Sequence, residues 1–220
     1  YRSEGFGARP ISTVALERAI GSYTTTSDAE AFTFQQDGHQ FYQIAFPTED
    51  KTWCYDVTTG MWHEKEYRNP ITGVAGRHLL RDVAFFNGKN YGSNYDNGLI
   101  YEIDQATYTD NGDPIVRYRV SPTHWNALDY IYFDSFQLDL ETGVGLTSGQ
   151  GSDPLLKIEW SDDGGHTWTR NPRYINIGKI GEYRKRVKEN RFGCSRARVW
   201  RVSYAEPTAF TILNAFVEVS

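Results

Sequence analysis

The chain has 220 residues, a net charge of −5 and a pI of about 5.6, and 15% of its residues are aromatic. That length can bury a core without disulfide or metal staples, and the mild acidity excludes the basic footprint of a typical nucleic-acid binder. Frequent Gly among Tyr, Phe and Trp favours strands and tight turns, so the expected class is all-β. No apolar run approaches the ~20 residues of a membrane helix, and no signal peptide is visible. Membrane insertion is therefore not expected. A start at Tyr1 rather than Met reads as a processed product, a fragment or part of a longer polypeptide. Cys54 and Cys194 are too few and too distant for a disulfide framework; two reduced thiols are expected, with one long-range bridge left open.

Pro10–Ile20 is the one helix candidate, with Ser12 or Thr13 as cap and Gly21 as its end. Residues 1–30 read as a short helical lead-in. Strands follow at 31–35, 40–46, 51–56 and 61–66, separated by the Asp37-Gly38 hairpin signal and by turns at 47–50 and 58–60. Four antiparallel strands in so short a stretch have the organisation of a propeller blade. The Thr59-Gly60 turn and Trp62 look Kelch-like, with Trp62 expected between neighbouring blades. A second, degenerate copy has strands at 78–86, 89–93, 99–104 and 115–120, with Asn87-Gly88 and Asn111-Gly112 as turns. Residues 31–130 therefore read as two four-stranded blade-like repeats.

Residues 131–220 read as a different β module completing the propeller. The stretch 132–140 alternates, with Phe136, Leu138 and Leu140 on one face. Residues 141–154 form a Gly-rich connection. Further strands are expected at 155–160, 174–177, 183–187, 197–204 and 209–219. Between them Ser161-x-Asp163-x-Gly165-x-Thr167-Trp168 resembles the Asp-box of sialidases and other propellers. Asp163 would bond turn amides, Gly165 would permit positive φ, and Trp168 would plug the core. Its expected role is structural rather than ligand-binding.

Catalytic signatures are lacking. The histidines His39, His63, His78, His124 and His166 stand in no metal-ligand spacing and suit turns and strand ends. There is no Gly-x-Ser-x-Gly elbow and no phosphate-cradling loop before a helix. The acidic turns at 110–113 and 162–163 do not match a calcium loop. No catalytic residue, cofactor or metal is expected. The basic run from Arg184 to Arg201 suits solvation or partner salt bridges better than DNA phosphates.

An ordered set of stretches then points to one family: Arg9-Pro10-Ile11-Ser12-Thr13, Ser27-Asp28-Ala29, Gly38-His39-x-Phe41-Tyr42, Trp53-x-Tyr55-Asp56, Gly60-x-Trp62-His63-Glu64, Glu141-Thr142-Gly143-Val144-Gly145, and Trp160 to Trp168 with Gly181-x-Tyr183-x-x-Arg186. In this order they resemble the C-terminal portion of the tail hub, or packaged-DNA stabilisation, proteins of short-tailed P22-like bacteriophages. The resemblance implies a β-propeller with Kelch-like blades and an Asp-box-bearing blade, leaving open whether the ring closes within this chain. It implies a virion-tail protein assembled in the host cytoplasm as a homo-oligomeric ring, six copies by family resemblance. Its partners would be a portal adaptor, a tail needle or plug protein, and a tailspike or receptor-binding protein. Double-stranded DNA would pass its channel without sequence-specific binding. The alternatives are an Asp-box propeller that binds or hydrolyses glycans in sialidase fashion, and a cellular Kelch-type interaction module.

Overall fold

A computed structural model describes residues 1–127 and 129–220. The chain divides into two compact units, Tyr1–Gln105 and Ala106–Ser220.

The first unit opens with an exposed hairpin, β1 (Arg2–Glu4) and β2 (Gly7–Arg9), which no sequence signal announced. Helix α1 (Val14–Gly21) follows; Thr13 Oγ1 accepts from the Leu16 amide at 3.3 Å, as an N-cap should. Gly21 is the last helical residue rather than the terminator, and Ser22 closes the helix by donating to the Arg18 and Ala19 carbonyls. Next comes an antiparallel meander of β3 (Glu30–Gln36), β4 (His39–Phe46), β5 (Lys51–Asp56) and β6 (Met61–Glu64), paired in that order. Asp37 (φ 48°) and Gly38 (φ 80°) both take the left-handed conformation that a two-residue hairpin turn requires. β7 (Glu66–Arg68) and β8 (Ala75–Arg77) form a small pair, also unannounced. The last sheet of the unit is β9 (Leu80–Phe86), β10 (Lys89–Asn94) and β11 (Ile100–Ile103), hinged at Asn87 and Gly88.

In the second unit, β12 (Thr109–Asp110) and β13 (Asp113–Pro114) form a hairpin about Asn111 and Gly112. One sheet runs β14 (Arg117–Val120), β21 (Ala197–Tyr204), β17 (Leu155–Ser161), β18 (Arg173–Asn176), and β15 (His124–Trp125) also pairs with β21. The other is built on β16 (Ile131–Leu140), with β22 (Ile212–Val219) on one side and β19 (Val187–Asn190) and β20 (Cys194–Ser195) on the other. The alternation read in β16 holds: Phe136, Leu138 and Leu140 are buried. They share one core with Leu156 and Ile158 of β17 and with Trp200, Val202 and Tyr204 of β21. Two sheets that bury their faces against each other make a sandwich.

That core corrects the expectation of an Asp-box-bearing propeller blade here. A blade is one sheet, whereas residues 117–220 close two sheets over common side chains. The strand expected at 115–120 to complete the second blade-like repeat is β14, and it pairs instead with β21, Arg117 opposite Tyr204. The strand expected at 183–187 begins only at Val187. Trp62, expected between blades, donates its indole N–H to the Ile11 carbonyl at 2.7 Å and packs on Tyr55.

Candidate functional site

The motif at 161–168 occupies the connection from β17 to β18. Ser161 lies at the buried end of β17 and donates its hydroxyl to Asp163 Oδ1 at 2.6 Å. The same hydroxyl oxygen accepts the Gly165 amide at 2.8 Å. Asp163 also accepts from Thr167, amide to Oδ1 at 2.8 Å and hydroxyl to Oδ2 at 2.6 Å. Gly164 and Gly165 both have positive φ, which lets the chain turn tightly around the carboxylate. The Ser161 hydroxyl first, then the Thr167 hydroxyl and amide, hold the Asp163 pKa far below the usual carboxylate range.

Trp168 departs from its expected place. It is half-buried and outside the sandwich core; the Arg201 guanidinium lies 4.0 Å from its ring centre. The core aromatics are Trp200, stacked on Phe136 at 4.7 Å, and Phe192, edge-on to Trp200. Trp160 packs beside them.

A second carboxylate-centred turn lies in the first unit. Asp56, buried at the end of β5, accepts from the Thr58 amide (2.9 Å), the Thr59 hydroxyl (2.8 Å) and His39 Nδ1 (2.8 Å). Burial alone would raise its pKa, but these donors outweigh it and hold the carboxyl at about 2. Both turns satisfy backbone groups where strands end, and every oxygen of the two carboxylates accepts at least one hydrogen bond.

The basic run is largely consumed internally. Arg198 is 2% exposed; Asp162 takes its guanidinium at 2.6 and 2.9 Å, and the Phe192 carbonyl accepts from it at 2.7 Å. Arg201 pairs with the buried Glu159, Arg186 donates to Gln137, and Lys188 pairs with Glu218. Arg184 and Lys185 are exposed. His78 has an unexpected setting for a strand-end residue. Its Nδ1 accepts from the Leu80 amide at 3.3 Å and lies 3.5 Å from Gln43 Nε2. Burial first, and the Lys65 charge second, push its pKa down to about 3. Both cysteines are free: Cys54 is buried, which pushes its thiol pKa up, and Cys194 is exposed. Among the described residues no helix is long and apolar enough to cross a membrane.

The second unit also holds a cleft of about 1050 Å³ between the two sheets, beside β14, β15 and β22. Sequence patterning gave no hint of it, because it arises from which strands are left at the sheet edges.

Comparison with known proteins agrees with the second unit. A family model described as the β-sandwich of bacteriophage P22 Gp10 matches residues 117–220, the span from β14 to the end of β22. No curated protein matches the chain. A solved Bacillus subtilis glycoside hydrolase family 43 arabinoxylan arabinofuranohydrolase, in complex with cellotetraose, aligns at 12% identity over 86% of this chain and 53% of its own. The chain thus spans about half the length of that enzyme, and at a TM-score of 0.24 the likeness says nothing about fold or activity.

Proposed function

We propose, from the match of residues 117–220 to the β-sandwich of bacteriophage P22 Gp10, that the chain is the C-terminal portion of a P22-like tail hub protein and that its work is mechanical. In this reading it forms part of a homo-oligomeric ring beneath the portal and adaptor. The ring extends the DNA channel, helps retain packaged DNA, and supports needle and tailspike attachment. Its place is then the virion tail.

The observation that carries the reading is the family match over a unit whose sheets close on their own core. A phage structural domain is consistent with a protein that is not a catalyst, and a glycan-active propeller is not favoured. The meander β3–β6 and the sheet β9–β11 are, in this proposal, blade-like repeats that need neighbouring layers to cover them. The Ser161, Asp163, Gly165, Thr167 and Trp168 turn is a structural clamp on β17, not a ligand site. An acidic chain also suits a conduit that DNA must leave.

The test is reconstitution on purified DNA-filled heads that lack the protein, using the full-length polypeptide that contains this chain. The expected result is added ring density below the portal–adaptor axis and reduced DNA leakage once the closing protein is present. Unchanged particles that leak as before would end the proposal.

A further inference from the structure

The two faces of the sheet β9–β11 differ. One carries Asn90, Gly92 and Asn94, all buried, and the Asn90 side-chain amide donates to the Gln35 carbonyl of β3 at 2.7 Å. The cross-strand register gathers Phe86 and Asp82 of β9, Tyr91 of β10, and Ile100 and Glu102 of β11 on the other face. Only Tyr91 among them is partly buried; Phe86 and Ile100 are 72% and 73% exposed. Glu102 pairs with Lys89 at 2.7 Å. Asp82 accepts from the neutral Ser93 hydroxyl at 2.6 Å and has no cationic partner among the described residues.

The hairpin β1–β2 has the opposite character. Residues 1–10 are all exposed, and Phe6 stands at the tip beside Gly5 (φ 61°) with its ring fully in solvent. A two-stranded hairpin with no layer to pack on is marginal in water. Its register also sets Arg2 directly opposite Arg9, a like-charge pair that works against the hairpin. Glu4 lies 3.7 Å from Arg9, and Arg2 has no carboxylate partner among the described residues. The hairpin thus carries two arginines against one glutamate, while residues 10–105 carry seven Lys or Arg against thirteen Asp or Glu.

An unsupported basic hairpin with an apolar tip and an acidic sheet face with bare apolar side chains are complementary, and in a single chain both stay exposed. We infer that hairpin β1–β2 of one copy docks on this face of β9–β11 of a second copy, with Phe6 on the Phe86, Tyr91 and Ile100 surface and Arg2 against Asp82. Docking covers apolar area on both partners and gives the hairpin the layer it lacks. Donor and acceptor surfaces differ, so the contact is heterologous; repeated from copy to copy it closes a ring or runs on as a filament. The inference deepens the tail-hub reading by giving its ring a subunit joint, and it rests on that reading only for closure into a ring.

The test is sedimentation velocity on the 220-residue chain over a dilution series, with amide hydrogen exchange at both ends of the series. The chain should self-associate, and association should slow exchange in 2–9 and in 82–91 and 100–103. Phe6→Ser, Arg2→Glu and Asp82→Arg should each weaken association by at least ~10-fold. Arg2→Glu and Asp82→Arg should restore it when combined in one chain, and so should mixing the two single variants, a rescue that misfolding cannot imitate. A chain that stays monomeric throughout would overturn the inference. So would association that leaves hairpin exchange unchanged, that ignores all three substitutions, or that the combined charge swap does not restore. These results are independent of whether added ring density forms on phage heads, so the joint and the tail-hub reading fail separately.

Discussion

The two units solve the problem of burial differently. In the second, side chains from both sheets meet in one cluster running from Ile131 to Tyr204, with Trp200, Leu156 and Ile158 essentially inaccessible. In the first, the buried apolar residues are few, Phe34, Phe46, Cys54 and Tyr55 among them, while Phe85, Phe86 and Ile100 of the last sheet are each more than 70% exposed. A sheet that leaves a face uncovered depends on neighbours for its stability. The contrast leads to the expectation that the sandwich folds on its own core and that the first unit, with apolar side chains of its last sheet exposed, is the less stable of the two.

The sharpest way to break that contrast is to separate the units. Residues 106–220 alone should unfold cooperatively in urea, and residues 1–105 alone should show a weaker or broader transition. Equal, cooperative transitions would erase the distinction. Within the sandwich, Trp200→Ala should cost ~3–5 kcal/mol, since a large and fully buried ring leaves a cavity. Asp162→Ala should cost ~3 kcal/mol, because it strands the Arg198 guanidinium, 2% exposed, without its carboxylate. Urea midpoints of the 220-residue chain would measure both. Losses below ~1 kcal/mol would mean that the site relaxes more than the packing allows.

Legibility followed sequence separation. The hairpins at Asp37-Gly38 and Asn87-Gly88 and the turn at Asn111-Gly112 were readable because two adjacent residues with positive φ leave a local signature, whereas the short strands flanking Asn111-Gly112 were not. The alternation of β16 was readable because one face is buried. The sandwich was not, because it depends on partners such as Arg117 and Tyr204, far apart in sequence. A four-stranded meander looks the same in a propeller blade as in any other antiparallel sheet, so the local pattern does not by itself choose between them. The Ser161 to Thr167 residues were readable as a group because their bonds span few positions, whereas the role of Trp168 depended on where Arg201 would lie. The cleft was invisible for the same reason as the sandwich.

Acidification should separate the units by histidine chemistry. His78 titrates near 6.5 when unfolded and at about 3 when folded. Over that window the unfolded chain binds a proton that the folded first unit refuses, so stability present above pH 6.5 is lost as pH falls toward 3. At pH 4.5 the loss in the first unit should be roughly 2 kcal/mol, with little from this source in the sandwich. Calorimetric scans at pH 7 and 4.5 would resolve two transitions that move apart. His78→Gln, which keeps an acceptor for the Leu80 amide, should keep them together.

The smallest effect belongs to the two carboxylate-centred turns. Asp56 and Asp163 both have folded pKa values below their unfolded ones. Each therefore stabilises above about pH 4, and the contribution fades as pH falls below the unfolded value of ~3.9. For Asp56 the loss is complete once pH passes about 2; for Asp163 it continues lower. Asn at either position keeps one acceptor oxygen and loses the charge. Asp56→Asn should flatten the acid dependence of the first transition and Asp163→Asn that of the second, each leaving the other unchanged. Midpoints followed from pH 4 to pH 2 would show this. If Asp163→Asn also altered the first transition, the two turns would belong to one cooperative unit, and the contrast between a self-sufficient sandwich and dependent layers would fail.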